Sequence, residues 1–193
     1  MRLPALLLAL IAAVAAAPEL GAQAPDYEAQ PSGRGRTEVT LTPPRGQTPR
    51  REAATITIDF GQPHLRGREL HTADLVPYDT PWRTGANAAT TLATGLDLTI
   101  GGVEVPRGTY VIYTLPTRNE WTLILQRDAG QNTAEYDAAL DVARVPLRKR
   151  ELPVAIESLS IWLIPAREEG PPRGELRILW GNTEVSTDWV VRR

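Results

Sequence analysis

The sequence predicts an all-β fold: a two-sheet antiparallel sandwich, jelly-roll-like, behind a disordered N-terminal linker. Three observations lead there. Apolar residues recur with a period of two through most of the chain after residue 53. Gly, Pro and Asn turn formers interrupt these runs at short, regular intervals. No stretch has the apolar spacing of an amphipathic helix of three turns.

Taken in order, Ile56, Ile58 and Phe60 alternate with Thr55, Thr57 and Asp59, the pattern of a half-buried strand. Leu96, Leu98 and Ile100 alternate likewise. Gly101-Gly102 then supplies a two-residue hairpin turn, and Val103 and Val105 return on the partner strand. Pro106-Arg107-Gly108 turns into Tyr110–Leu115. Pro116 to Asn119 turns again into Trp121–Gln126. Val142–Leu147 and Ile156–Ile164 are two further strands, and 165–174 is a loop. Leu176, Ile178 and Trp180 alternate, and Gly181-Asn182 turns into Val185–Val191. Thr133 to Leu140 holds at most one short turn of helix. Eight or nine short strands of this kind suit a sandwich or jelly roll.

The N-terminus reads differently. Met1-Arg2 precedes the apolar run Leu3–Ala17, and Ala22-Gln23-Ala24 supplies an A-x-A site. This is the pattern of a signal peptide at 1–24, and the run falls short of the roughly 20 residues of a membrane span. The expected product is an exported protein, periplasmic or extracellular, with no integral membrane span after cleavage. There is no Cys, so it carries no disulfide. Residues 25–52, rich in Pro, Gly, Arg, Thr and Gln, read as a flexible linker in which Val39-Thr40-Leu41 is the one short strand candidate. The domain at 53–193 is large enough to bury a core without staples. A net charge of −2 gives no broad basic field for nucleic acid.

Several strings have a family look. They are Asp59-Phe60-Gly61-Gln62-Pro63, Arg66-Gly67-Arg68, Val76-Pro77-Tyr78, Trp82-Arg83-Thr84-Gly85-Ala86-Asn87 and Ala89-Thr90-Thr91. Further along come Thr99-Ile100-Gly101-Gly102, Pro106-Arg107-Gly108-Thr109-Tyr110, Glu120-Trp121-Thr122, Tyr136-Asp137, Asp141-Val142 and Trp180-Gly181-Asn182-Thr183. Together they resemble the DUF2911 family, a set of exported bacterial proteins of unassigned function, over nearly all of 53–186. The resemblance implies a compact β domain behind a signal peptide and brings no activity, cofactor or catalytic residue. The chain departs from the family pattern at Asp79, where Gly usually follows Pro-Tyr, and at His64, where a small residue is common.

The segment 56–91 concentrates cationic forks, an amide and aromatics among turn formers. Arg83 and Asn87 offer a planar donor fork and an amide beside Tyr78 and Trp82, a set suited to a carboxylate, a phosphate or sugar hydroxyls. Arg66 and Arg68, spaced i, i+2, face one side if extended and can clamp an anion with Arg83. The ligand-binding candidates are therefore Arg66, Arg68, Tyr78, Trp82, Arg83 and Asn87. A purely architectural reading competes. In it Arg83 donates to loop carbonyls, Asn87 sits in a turn, Trp82 plugs one end of the sandwich, and Arg66 and Arg68 pair with Glu69, Asp59 or Asp74. Long polar loops need internal partners for their backbone, which favours it.

Other chemistries find little support. Two His and no Cys fall short of a zinc site, so no metal is expected at His64, His71 and Asp74. No Gly-rich phosphate loop or nucleophile elbow occurs, so no cofactor is expected and no catalytic residue is identified. Asp97, Glu104, Glu120, Asp137 and Asp141 are the acids available for glycoside hydrolysis, which needs a facing pair. Trp162 shares parity with Ser158 and Ser160 and is the best stacking platform, whereas Trp180 belongs with Leu176 and Ile178 in the core. The favoured expectation is a binding module for a small polar or anionic ligand or a saccharide. The alternatives are a carbohydrate-acting envelope hydrolase and a structural or partner-binding envelope protein.

Overall fold

The computed structural model describes residues 31–46, 52–127 and 135–192. The signal-peptide stretch lies outside the described residues. The strands are β1 (Arg34–Leu41), β2 (Ala54–Gly61), β3 (Thr91–Thr94), β4 (Leu98–Ile100), β5 (Val103–Val105), β6 (Gly108–Pro116), β7 (Trp121–Arg127), β8 (Asp141–Pro165) and β9 (Arg173–Val191). A 3₁₀ turn at Ala138–Leu140, capped by the Asp137 side chain, precedes β8. The fold is all-β and antiparallel, as the alternation predicts.

The two-sheet arrangement is replaced by one nine-stranded sheet, ordered β1-β2-β3-β6-β7-β8-β9-β4-β5. The reason lies in β8. Its first residues, Asp141 to Leu147, pair with β7, and Arg148 to Pro165 pair with β9, so the ladder continues from one half to the other. Leu152–Ala155 lie between the pairs Glu151↔Thr183 and Ile156↔Gly181, and residues 157–159 lie between Ile156↔Gly181 and Ser160↔Leu179. Extra residues on one strand bend it. The bends bring the far half of β8 back over the start of the chain. Leu163 N donates to Thr37 Oγ1 (3.1 Å), Leu159 N to Pro63 O (3.0 Å) and Leu65 N to Glu157 O (2.9 Å).

One core fills the space so enclosed. Ile56, Ile58 and Phe60 of β2 join Leu123 and Leu125 of β7, Val145, Leu159 and Ile161 of β8, and Leu176, Ile178, Trp180 and Trp189 of β9. A smaller cluster of Val111, Tyr113 and Ile124 lies on the other face of β6 and β7, with Tyr136 packed against it. Both faces of this hairpin are thus covered.

Four local expectations change. Within the stretch read as linker, the Val39-Thr40-Leu41 strand candidate extends back to Arg34 as β1, paired with β2 from Arg34↔Gly61 to Leu41↔Ala54. The strand expected over 96–100 is shortened to β4 at 98–100, and β3 at 91–94 precedes it as a strand the alternation did not mark. β3 ends at Thr94, whose hydroxyl bonds both Leu96 O (2.7 Å) and Leu96 N (3.2 Å), and β4 crosses to pair with β9. The two strands expected at 142–147 and 156–164 are one. Gly181 is no turn: at φ 57° it lies within β9 opposite Ile156. The Gly101-Gly102 hairpin turn is as expected, with φ of 54° and 86°, both in the region a two-residue hairpin of this kind requires.

Candidate functional site

The 29 residues from Gln62 to Thr90 join β2 to β3 without a strand of their own, and they hold all six predicted ligand contacts. A connection of this length needs anchors for its backbone. Trp82 and Thr114 provide one, exchanging N–H to O bonds of 2.7 and 2.8 Å. Buried threonines provide another. Thr90 Oγ1 donates to Thr84 O (2.9 Å), and Thr84 Oγ1 lies 3.2 Å from both Trp82 O and Thr114 Oγ1. Gly61 and Gly85 let two backbones meet, with Ala86 N donating to Gly61 O (3.2 Å).

The predicted polar contacts serve this loop. Arg83 Nη1 donates to Asn87 O (2.8 Å). Asn87, at φ 59°, donates from Nδ2 to Ser32 O (3.0 Å). Arg68 folds back on its own turn, donating to Leu65 O (2.9 Å) and His64 O (2.7 Å). Arg66 sits at φ 51°, followed by Gly67 at φ 76°, so the segment is a turn rather than the extended pair expected. Its amide donates to Glu157 Oε1 (2.8 Å). Asp79 also has positive φ, 60°, which accounts for glycine at this place in the family pattern.

The aromatic candidates lie elsewhere. Trp82 stacks on Trp180, with centroids 5.7 Å apart, and borders a small cavity of about 10 Å³ that also touches Leu70, Trp121 and Thr183. Tyr78 borders an open cleft of about 280 Å³, shared with Leu70, His71, Lys149, Glu151, Asn182 and Thr183. Leu70 and Thr183 line both spaces, so the two adjoin. Arg66, Arg68, Arg83 and Asn87 line neither. The structure therefore brings Tyr78 and Trp82 to one region and leaves the other four outside it.

His71 is the group that sequence reasoning missed here. It stacks on Tyr78 (4.2 Å, 19°) and meets Trp121 edge-on (5.8 Å, 70°). Arg118 lies over the Tyr78 ring at 5.3 Å, and Lys149 Nζ donates to Arg118 O (2.9 Å). Burial pushes the His71 pKa below its usual value. The Lys149 charge acts in the same direction, while the bond to Val76 O opposes both. The folded state thus resists a proton that the unfolded chain takes up near pH 6.5. Stability is complete above 6.5, falls as pH drops from there toward the depressed folded value, and levels off below it. Urea denaturation between pH 7.5 and 5 is expected to record this decline and to find it reduced in His71→Phe; an unchanged pH slope in the variant would refute the assignment.

A second cleft, of about 380 Å³, lies between the end of β8 and β9 and is lined by Glu168, Arg173, Glu175, Asp188 and Trp189. Arg148 grips Asp188 with two bonds (2.8 and 3.0 Å) and reaches Glu175 at 3.1 Å. The Arg148 bond holds the Asp188 carboxyl below its usual pKa against some burial. Burial pushes Glu175 upward, but bonds from Arg177 and Arg148 outweigh it and leave that pKa lowered too. A glycosidase pair needs one carboxyl raised to act as acid, the opposite of this arrangement. Three of the acids the sequence offered are committed locally: Asp97 accepts from Arg107 N (2.8 Å), Glu104 pairs with Arg192 (2.7 Å) and Asp137 caps its 3₁₀ turn.

Asp141 anchors a further network. Tyr136 donates to its Oδ2 (2.7 Å) and accepts from Arg144 (2.9 Å), and burial followed by the Asp141 carboxylate raises the Tyr136 pKa. His64 Nδ1 bonds Ser158 Oγ (2.6 Å). Among the described residues no three His, Cys, Asp or Glu side chains gather to hold a metal ion. None of their helices is long and apolar enough to cross a membrane. Trp162 is 47% exposed, with Val154 and Ile164 the other large apolar side chains at the surface of β8.

No curated protein and no solved structure gives a significant match. One family model does match, over residues 43–188, a span that takes in β2 to β8 and nearly all of β9, the Tyr78 cleft and the whole 62–90 connection; its description is "Protein of unknown function (DUF2911)". The chain belongs to the DUF2911 family.

Proposed function

We propose that the protein is an exported binding module for a small polar ligand, held in the cleft between the 62–90 connection and the β8–β9 ladder. The observation that carries this reading is the composition of that cleft. An aromatic wall, Tyr78, stands beside His71, Lys149, Asn182 and Thr183 in an open space of about 280 Å³. A largely preformed concavity with a few converging polar groups is the usual form of a small-molecule site. Export rests on the basic start, apolar run and A-x-A site of residues 1–24.

Ligand-induced thermal stabilisation tests the binding reading, with saccharides, small organic acids and inorganic phosphate as probes. At least one class is expected to raise the midpoint. Tyr78→Ala and Lys149→Ala are expected to weaken that probe by about tenfold or more, the size of one good contact. Arg83→Ala should keep the affinity, since Arg83 lies outside the cleft. Failure of every class to bind the wild-type protein would end the reading. The export arm is separate: N-terminal sequencing of the envelope fraction should begin at Pro25, and a cytoplasmic product retaining residues 1–24 would remove "exported" from the description.

A further inference from the structure

Every basic side chain of β8 but one is matched by a carboxylate. Arg144 pairs with Asp141, Arg148 with Asp188 and Glu175, and Arg150 with Glu184. Lys149, exposed between Arg148 and Arg150, is the exception. Among the described residues its ammonium bonds only a carbonyl, Arg118 O at 2.9 Å. An ammonium has three N–H donors, so two are left over. Arg118 is a second unmatched cation. Its guanidinium lies over the Tyr78 ring and makes no hydrogen bond to a described residue. Both cations stand at the same cleft: Lys149 lines it, and so does Tyr78 beneath Arg118. Arg118 is placed there by contacts that run inward. Tyr78 stacks on His71, and His71 meets the buried Trp121. Gathering like charges without a counter-ion is unfavourable, and an anion at this point offsets it.

Building on the binding reading above, we propose that the cleft takes a small carboxylate-bearing ligand whose carboxylate accepts from the Lys149 ammonium and the Arg118 guanidinium. Both side chains are exposed, so a ligand entering from solvent reaches them. A guanidinium presents a planar fork that fits the two oxygens of a carboxylate, and charge-assisted bonds of this kind are strong. Glu151 is the one acid in the cleft lining, and it bonds neither cation. Two cations against one acid leave a single positive charge. That matches a monoanionic carboxylate better than a phosphate, which carries close to two charges at neutral pH. Leu70 gives the carbon skeleton an apolar wall. The Thr183 hydroxyl, which bonds no described residue, supplies a further polar contact.

Isothermal titration calorimetry of the purified protein at low salt compares carboxylates with the alcohols of the same skeleton. The pairs are glycerate with glycerol, benzoate with benzyl alcohol and D-glucuronate with D-glucose, and glycerol phosphate supplies the phosphate arm. At least one carboxylate is expected to bind about tenfold or more tighter than its alcohol, the size of one good contact. Arg118→Gln and Lys149→Gln should each remove most of that preference and leave the affinity for the alcohol unchanged. Thermal midpoints of the two variants confirm folding, and the wild-type preference is read without them. Three results overturn the carboxylate inference while the binding reading stands: alcohols that bind as tightly as their acids, glycerol phosphate that binds more tightly than glycerate, or a preference that neither variant lowers. If no probe in the series binds, both fail.

Discussion

Gly61→Ala is expected to destabilise the protein by about 3 kcal/mol or more, at the upper end of what overpacking costs. Gly61 closes β2, and its φ is not in the left-handed region, so alanine meets no backbone penalty there. The obstacle is space. A Cβ at this position lies 1.8 Å from Ala86 O and 2.6 Å from Ala86 C. Both are main-chain atoms, so no side chain can rotate away. Relief requires the Gly85-Ala86 segment of the connection to lift off β2. That lift breaks the Ala86 N to Gly61 O bond and disturbs the buried Thr84, Thr90 and Thr114 hydroxyls behind it. Gly33→Ala serves as the control: nothing lies within 4 Å of its Cβ and its φ is ordinary, so its cost should be small. Urea denaturation of both variants decides the point. A Gly61→Ala protein within about 0.5 kcal/mol of wild type, the range of inert surface changes, would mean the contact is looser than the structure has it.

Where the sequence could be read, one physical signal was responsible: a buried face on a two-residue period. Ile56, Ile58 and Phe60 announce β2 because one side of that strand faces the core. The Gly101-Gly102 hairpin is legible because its turn demands positive φ at both positions. β1 sends that signal only at its end, in Val39-Thr40-Leu41. Only Val39 among its eight residues is fully buried, and the strand exists because β2 offers it a complete ladder. The middle of β8 fails for the same reason. Arg148 to Ala155 expose most of their side chains while the backbone continues through its bends, so polar composition looked like a break between strands. Pairing partners distant in sequence decide these elements, and local pattern does not record them.

The site divides along the same line. Tyr78 and Trp82 were legible as aromatic walls. Arg83 and Asn87 stood out as cationic and amide groups among turn formers, but the same chemistry that binds a ligand also ties down a loop, and here it bonds Asn87 O and Ser32 O. His71 and Trp121 are fifty residues apart, one in a connection and one at the start of β7. Their meeting depends on how the connection lies across the sheet. No spacing rule marks it, and a lone His was more easily weighed as a metal ligand.

Trp180→Ala is expected to cost about 3–5 kcal/mol, the range for removing a large aromatic from a core. Against the 5–15 kcal/mol that stabilises a typical domain, this is a large share. Trp180 is 4% exposed and shares its strand face with Leu176 and Ile178. Its indole N–H donates to Glu157 O (3.1 Å), so truncation removes a partner from a carbonyl in the bend of β8 as well as leaving a void. The void would open onto the small cavity beside Leu70 and Trp121 and release Trp82 from its stack. The loss therefore reaches the cleft wall, and any ligand affinity should fall with stability. Trp162→Ala provides the contrast on the same sheet. Trp162 pairs opposite Arg177 with nearly half its surface in solvent, and its removal should change stability by no more than about 0.5 kcal/mol. Denaturation midpoints that failed to separate the two variants would contradict a core centred on the β9 face bearing Trp180, because burial is the main feature by which the two tryptophans differ.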